Sequence, residues 1–192
     1  MQVSADRIDY LALKWRAIFW LVVGRKSAAL EIFDAMVARW PTDPYALASR
    51  SHVRTEFGRA AAALADMRAL VDAHPEHNAG HWFNLAFLLE ASGEYAEAES
   101  AFRRTIALDP KLDRAWYGLG LVLIQLGRHD EAVAALKRNT ELQPMSPYGW
   151  YQLARVQLDR QRPDETRKII RHLKGFEPKV AAQLERETGL QA

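Results

Sequence analysis

Residues 82–110 read WFNLAFLLEASGEYAEAESAFRRTIALDP. Trp82, Leu85, Ala86 and Leu89 recur at helical spacing up to Gly93, where a left-handed residue can close a helix. Ala98 and Phe102 carry a second periodic run that ends before Pro110, because the residue before proline avoids helical geometry. The stretch predicts a pair of helices joined by a tight turn.

The same punctuation runs through the chain. Pro41, Pro75, Pro110, Pro144 and Pro178 lie 34, 35, 34 and 34 residues apart. Gly24, Gly58, Gly93 and Gly127 keep the beat at 34, 35 and 34, and Trp82, Trp116 and Trp150 at 34. The next unit reads Trp116, Leu119, Gly120, Leu123, Gly127, Ala132, Leu136 and Pro144. A later one keeps Trp150, Leu153, Ala154, Ile170 and Pro178, with Gln161 at the glycine position and Thr166 at an alanine position. Two degenerate units precede them. One offers Leu13, Ala17, Trp20, Gly24, Ala29, Phe33 and Pro41, the other Leu47, Ser51, Gly58, Ala63, Met67 and Pro75. Small residues at Ala17, Ser51, Ala86, Gly120 and Ala154 let two helices approach closely. One such hairpin cannot bury its apolar face alone, so neighbours must stack.

A 34-residue period with these residues in register resembles the tetratricopeptide repeat. The resemblance implies an all-α fold, a right-handed α-solenoid of helix hairpins forming one domain over residues 1–192. Its repeats fall near 10–43, 44–77, 79–112, 113–146 and 147–180, with the first helix beginning near residue 10. Val180, Ala181 and Leu184 share one face of a final amphipathic helix near 179–188, which resembles the solvating helix that ends many such solenoids.

The resemblance also implies a binding face. In this family the first helix of each repeat lines a concave groove where another protein or peptide lies. The positions that would face it are His52, Phe83, Phe87, Tyr117, Leu121, Tyr151 and Arg155. Asn84, Glu90, Arg114, Gln125, Tyr148 and Asp159 flank them. Phe and Tyr beyond what the fold requires mark a binding surface. Some family members clamp the two carboxylates of a chaperone tail with Lys, Asn, Asn, Lys and Arg. Here those positions hold Ala48, His52, Asn84, Arg114 and Gly118, which argues against that activity.

Three features depart from the pattern. Arg16, Arg50 and Arg54 stand where the family has apolar or aromatic residues. They are expected to reach the solvent edge over their apolar stems, the competing reading being a basic strip for an acidic partner. One residue is inserted between Pro75 and Trp82, where His74, Glu76, His77 and His81 cluster. With no second shell in view, the cluster reads as a solvated turn rather than a metal site. The segment 11–23 carries more apolar side chains than its repeat needs, including Trp15, Phe19 and Val22 on one ridge. It is expected to make an intermolecular contact, either self-association or docking onto a partner or a membrane complex.

Composition narrows the function. The chain holds 26 basic and 24 acidic residues, too even a balance for a nucleic-acid-binding field. It has no cysteine, so disulfides and thiolate chemistry are excluded. The apolar run Leu11–Val23 is interrupted by Lys14 and Arg16 and is followed by Gly24-Arg25-Lys26. It is too short to span a membrane and lacks a cleavage site, so it is read as a helix of the fold in a cytoplasmic protein. No catalytic motif, cofactor site or metal site is assigned. The expected function is a non-catalytic adaptor that binds a protein or peptide in its groove. The alternative is an accessory subunit of a larger, membrane-bound complex, docked through its N-terminal helix.

Overall fold

The computed structural model describes residues 2–76 and 78–192, with side chains from Asp6 onward. These residues form eleven helices and no strand. Five hairpins follow in order: α1 (Gln2–Val22) with α2 (Lys26–Arg39), α3 (Pro44–Glu56) with α4 (Ala60–Ala73), α5 (Ala79–Ala91) with α6 (Tyr95–Leu108), α7 (Asp113–Gln125) with α8 (His129–Leu142), and α9 (Pro147–Asp159) with α10 (Pro163–Lys174). The last helix, α11 (Pro178–Thr188), stands alone. By contacts the chain divides into two compact units, one ending at Leu88 and the other beginning at Leu89.

The turn chemistry explains the hairpins. Gly24, Gly58, Gly93 and Gly127 all take positive φ, between 70° and 79°. The amide that follows each turn back-bonds to the helix just left, as Arg128 N does to Leu123 O at 2.9 Å. The fifth hairpin makes the same turn with Gln161 at φ 58°, a conformation that costs a residue with a Cβ. The second helices stop before Pro41, Pro75, Pro110 and Pro144. Pro178 behaves differently: it begins α11 at the first helical position, where its missing N–H is harmless.

Close approach within each hairpin rests on the small residues. A Cβ on Gly120 would lie 2.7 Å from Leu136, so α7 and α8 tolerate no side chain there. Polar substitutes in this seam are satisfied across it. Ser51 Oγ donates to Ala63 O at 2.9 Å, from first helix to second. Thr166 Oγ1 donates to Ala154 O at 3.1 Å, in the opposite sense. The larger buried side chains are Phe33, Met36, Leu47, Met67 and Leu70 in the first unit, and Leu89, Phe102, Leu123, Leu136, Ile170, Leu173 and Leu184 in the second. Each stabilises the fold by roughly 1.5–3 kcal/mol.

Two expectations are corrected. Helix α1 begins at Gln2, not near residue 10. Long-range contacts secure the extra turns: Trp40 Nε1 donates to Asp6, Arg39 bridges Asp6 and Asp9, and the Tyr10 hydroxyl donates to Asp43. Burial, then the Asp43 carboxylate, pushes the Tyr10 pKa up to about 12. Second, Arg50 and Arg54 neither merely snorkel nor form a basic strip. Arg50 grips Asp66 with Nη2 and Nε, at 2.6 and 3.1 Å. Arg54 Nη1 meets the same carboxylate at 2.8 Å, and both guanidiniums reach Asp34 Oδ1. Two carboxylates balance the two cations, Asp66 within the seam and the half-exposed Asp34 at its edge on α2. Asp66 is only 3% exposed, and the two guanidiniums stand in for the water its carboxylate has lost. Arg16 stays exposed.

Among the described residues, no helix is long and apolar enough to cross a membrane, and no group of three His, Asp or Glu could hold a metal ion. His77 lies outside the described residues. Asn78 Oδ1 accepts from Gly80 N at 2.6 Å and shapes the turn with the inserted residue.

Candidate functional site

The signature tryptophans orient the first helices. Trp116 Nε1 donates to Pro110 O and Trp150 Nε1 to Pro144 O, both at 2.9 Å. Trp82 reaches Pro75 O at 2.8 Å across one more residue, so the insertion leaves this lock intact. Each lock ties the start of a first helix to the turn before it. The following residue, one step of about 100° round the helix, is thereby held in a fixed direction.

In the second unit this places Tyr117 and Leu121 on α7, and Tyr151 and Arg155 on α9. Tyr117, Leu121 and Tyr151 are half-buried, while Arg155 and Arg114 are exposed. Burial pushes the Tyr117 hydroxyl up; its hydrogen bond with Gln152 acts the other way, and nearby Glu90 and Tyr148 add to the rise. Tyr117, Gln152, Tyr148 and Glu90 therefore gather on one surface, drawn from the end of α5 and from α7 and α9. Tyr148 is exposed. Leu121 lies one turn beyond Tyr117 on the same face.

Glu90 is the unusual member. It is half-buried, and burial alone raises its pKa. Among the described residues no cation pairs with it. Three before the other turn residues, as Glu90 stands before Gly93, come Leu21, Thr55, Ile124 and Leu158, none of them charged. A carboxylate stands here where the other hairpins have an uncharged residue, at an electrostatic cost.

At the far end, Tyr151 Oη donates to Glu187 Oε2 at 2.6 Å, and Gln183 holds the other oxygen at 2.8 Å. The Arg155 guanidinium lies 5.8 Å from the centre of the Tyr151 ring. The hydrogen bond from Tyr151, then that from Gln183, keeps the Glu187 carboxyl below its usual range. The last helix thus contributes a side chain to the surface. Sequence reasoning missed Glu187 and Gln152. One more step of the beat beyond Trp150 reaches the buried Leu184, and this would have marked α11 as a first-type helix facing α9.

In the first unit, His52 is exposed on α3 with its Nε2 4.0 Å from Glu56. On α5, Asn84 is exposed, Phe87 is 53% exposed and Phe83 is half-buried. The chaperone-tail clamp finds no place: a Cβ on Gly118 would sit 2.3 Å from the Phe102 ring, so no long cation fits there. An open cleft at the hairpin turns is lined by Arg128, Asp130, Arg160 and Arg162. Arg128 is paired with Glu99 and Glu131, and Arg160 with Asp130, so the charge of these two is already met within the protein.

A sequence model of the tetratricopeptide repeat matches residues 51–113 and 83–139. No curated protein matches the chain in sequence. Its structure is similar to that of a MamA protein, with a TM-score of 0.83 and 18% identity over 95% of this chain and 97% of that one. It is similar to YrrB, described as a TPR protein with an unusual peptide-binding site, with a TM-score of 0.79 and 16% identity over 88% of each chain. It is also similar to a thermophilic TPR protein of Thermus thermophilus, with a TM-score of 0.61 and 22% identity over 94% of this chain and 100% of that one. At such identities the likeness is one of fold, an all-α solenoid. The repeat model covers residues 51–139 and the same register is kept through five hairpins, so the fold is that of a tetratricopeptide-repeat solenoid.

Proposed function

We propose that this chain is a non-catalytic scaffold that binds a segment of another protein across the first-helix faces. Tyr117, Tyr148, Leu121 and Glu90 form the centre of the site in the second unit, with Arg114, Tyr151 and Arg155 at its margins. His52, Phe83, Asn84 and Phe87 present the equivalent faces of the first unit. The observation that carries the reading is Glu90: a half-buried carboxylate without a cation, set beside tyrosines. A basic residue of a bound segment would neutralise it, and the rings would hold the apolar stem of that residue. YrrB shares the fold and is described by its peptide-binding site, which supports a peptide or protein as the kind of partner.

The test is selection of displayed random peptides on the wild-type chain, followed by binding to Tyr117→Ala and Glu90→Lys. Recovered peptides should carry lysine or arginine and lose at least tenfold in affinity for both variants. Arg138→Ala, on the exposed side of α8, should bind them normally. Peptides that bind all three variants alike would refute the site.

A further inference from the structure

Every first helix carries a residue five before its turn position: Phe19, Val53, Leu88, Val122 and Val156. The last four are closed to solvent, at 7% exposure or less, yet Phe19 is 56% exposed. Nine before the turn stand Trp15 and, among its equivalents, Gly118, whose Cβ would meet Phe102 of the preceding second helix at 2.3 Å. Twelve before it stand Ala12 and, among its equivalents, Gly149, whose Cβ would meet Asn139 of α8 at 2.0 Å. This face is the one on which a first helix stacks against the hairpin before it. On α1, among the described residues, nothing precedes it.

Trp15 is larger than each of its equivalents, Ser49, Asn84, Gly118 and Gln152, so a helix hairpin packed here would stand further off than in the other stacks. The exposed ridge reads Ile8, Leu11, Trp15, Phe19 and Val22, with steps of 3, 4, 4 and 3. That spacing is the same from either end, and its midpoint is Trp15. Turned end for end, the ridge matches itself.

We propose that α1 pairs antiparallel with α1 of a second copy, about a two-fold axis at Trp15. The axis sets Trp15 against Trp15, Leu11 against Phe19 and Ile8 against Val22, an isologous contact. Covering five such side chains on both copies removes on the order of 1,000 Å² from water, at the threshold for a specific interface. A lipid surface fits less well. Arg7 and Arg16 are the cations flanking the ridge, fewer than a polybasic anchor needs, and Asp6 and Asp9 are held nearby by Arg39. The inference is independent of the peptide-binding face.

Sedimentation equilibrium of the full chain tests it. The wild type should approach twice its 21.8 kDa as concentration rises, and Trp15→Glu and Phe19→Lys should stay monomeric with unchanged helicity. Cysteine pairs fix the register, because the native chain has none. Under mild oxidation Trp15→Cys should link to itself. Leu11→Cys should link to Phe19→Cys in a mixture, and at least tenfold faster than to another copy of itself. A monomer at all concentrations, a dimer that survives Trp15→Glu, or a monomer that sediments with phosphatidylserine vesicles would each overturn the proposal.

Discussion

The hairpins α3–α4 and α7–α8 have the same geometry and opposite seams. Leu119 and Leu123 of α7 and Ala135 of α8 are all buried. The equivalent residues of α3 and α4 are Arg50, Arg54 and Asp66, joined by hydrogen bonds of 2.6–3.1 Å. One seam is held by burial of apolar surface, which is tolerant of small changes. The other is held by charges that must all be present, because the desolvation of each is offset only by its partners. The comparison shows that backbone geometry in this fold is set by the small residues and turns, while the filling of the seam is open to very different chemistry.

The sharpest way to break the contrast is Asp66→Ala. It leaves two guanidiniums sharing only the half-exposed Asp34 and should destabilise the first unit by about 3 kcal/mol, the lower end for a broken buried pair, in urea unfolding. Replacing all three residues with their α7–α8 equivalents (Arg50→Leu, Arg54→Leu, Asp66→Ala) should instead leave stability near or above that of the wild type. If the triple variant is as weak as the single one, the ion cluster is a net source of stability and the two seams are not interchangeable.

A smaller effect is expected where the fifth turn departs from the first four. Gln161→Gly relieves a left-handed residue that bears a Cβ and should stabilise the second unit by about 1 kcal/mol, read as a rise in Tm. No change would mean that Gln161 makes compensating contacts.

The smallest concerns Glu90. Burial raises its folded pKa above the unfolded value, so the folded state holds the proton to higher pH. The stability that goes with the protonated form is present below the unfolded carboxylate range and is lost as pH rises through the folded pKa. Glu90→Gln should therefore melt above the wild type at pH 7 and level with it at pH 3. Equal melting at both values would show that Glu90 is hydrated like any surface carboxylate.

The hairpins were legible because Gly93, Gly127, Pro110 and Pro144 punctuate the chain chemically, and a left-handed turn or a helix stop needs those residues wherever it falls. The first turns of α1 were not legible. Their hold on the fold comes from Asp6 with Trp40 and Tyr10 with Asp43, contacts between residues more than 30 apart. The fate of Arg50 and Arg54 was hidden for a similar reason: Asp66 reads as a surface aspartate until it is placed opposite them. A third charge at a seam position of the same hairpin was the available signal. The aromatic positions Tyr117 and Tyr151 followed from the register, but Glu187 belongs to a helix outside the five repeats and could be placed only in three dimensions.

The central claim is that a partner segment lies on the first-helix face beside Glu90 and Tyr117. A photo-crosslinking residue placed at Tyr148, which is 70% exposed, tests it in the presence of a selected peptide. The same residue at Arg138, exposed on α8, serves as the control. The account predicts a covalent adduct at 148 that free competing peptide abolishes, and none at 138. Adduct at 138 with none at 148 would contradict it.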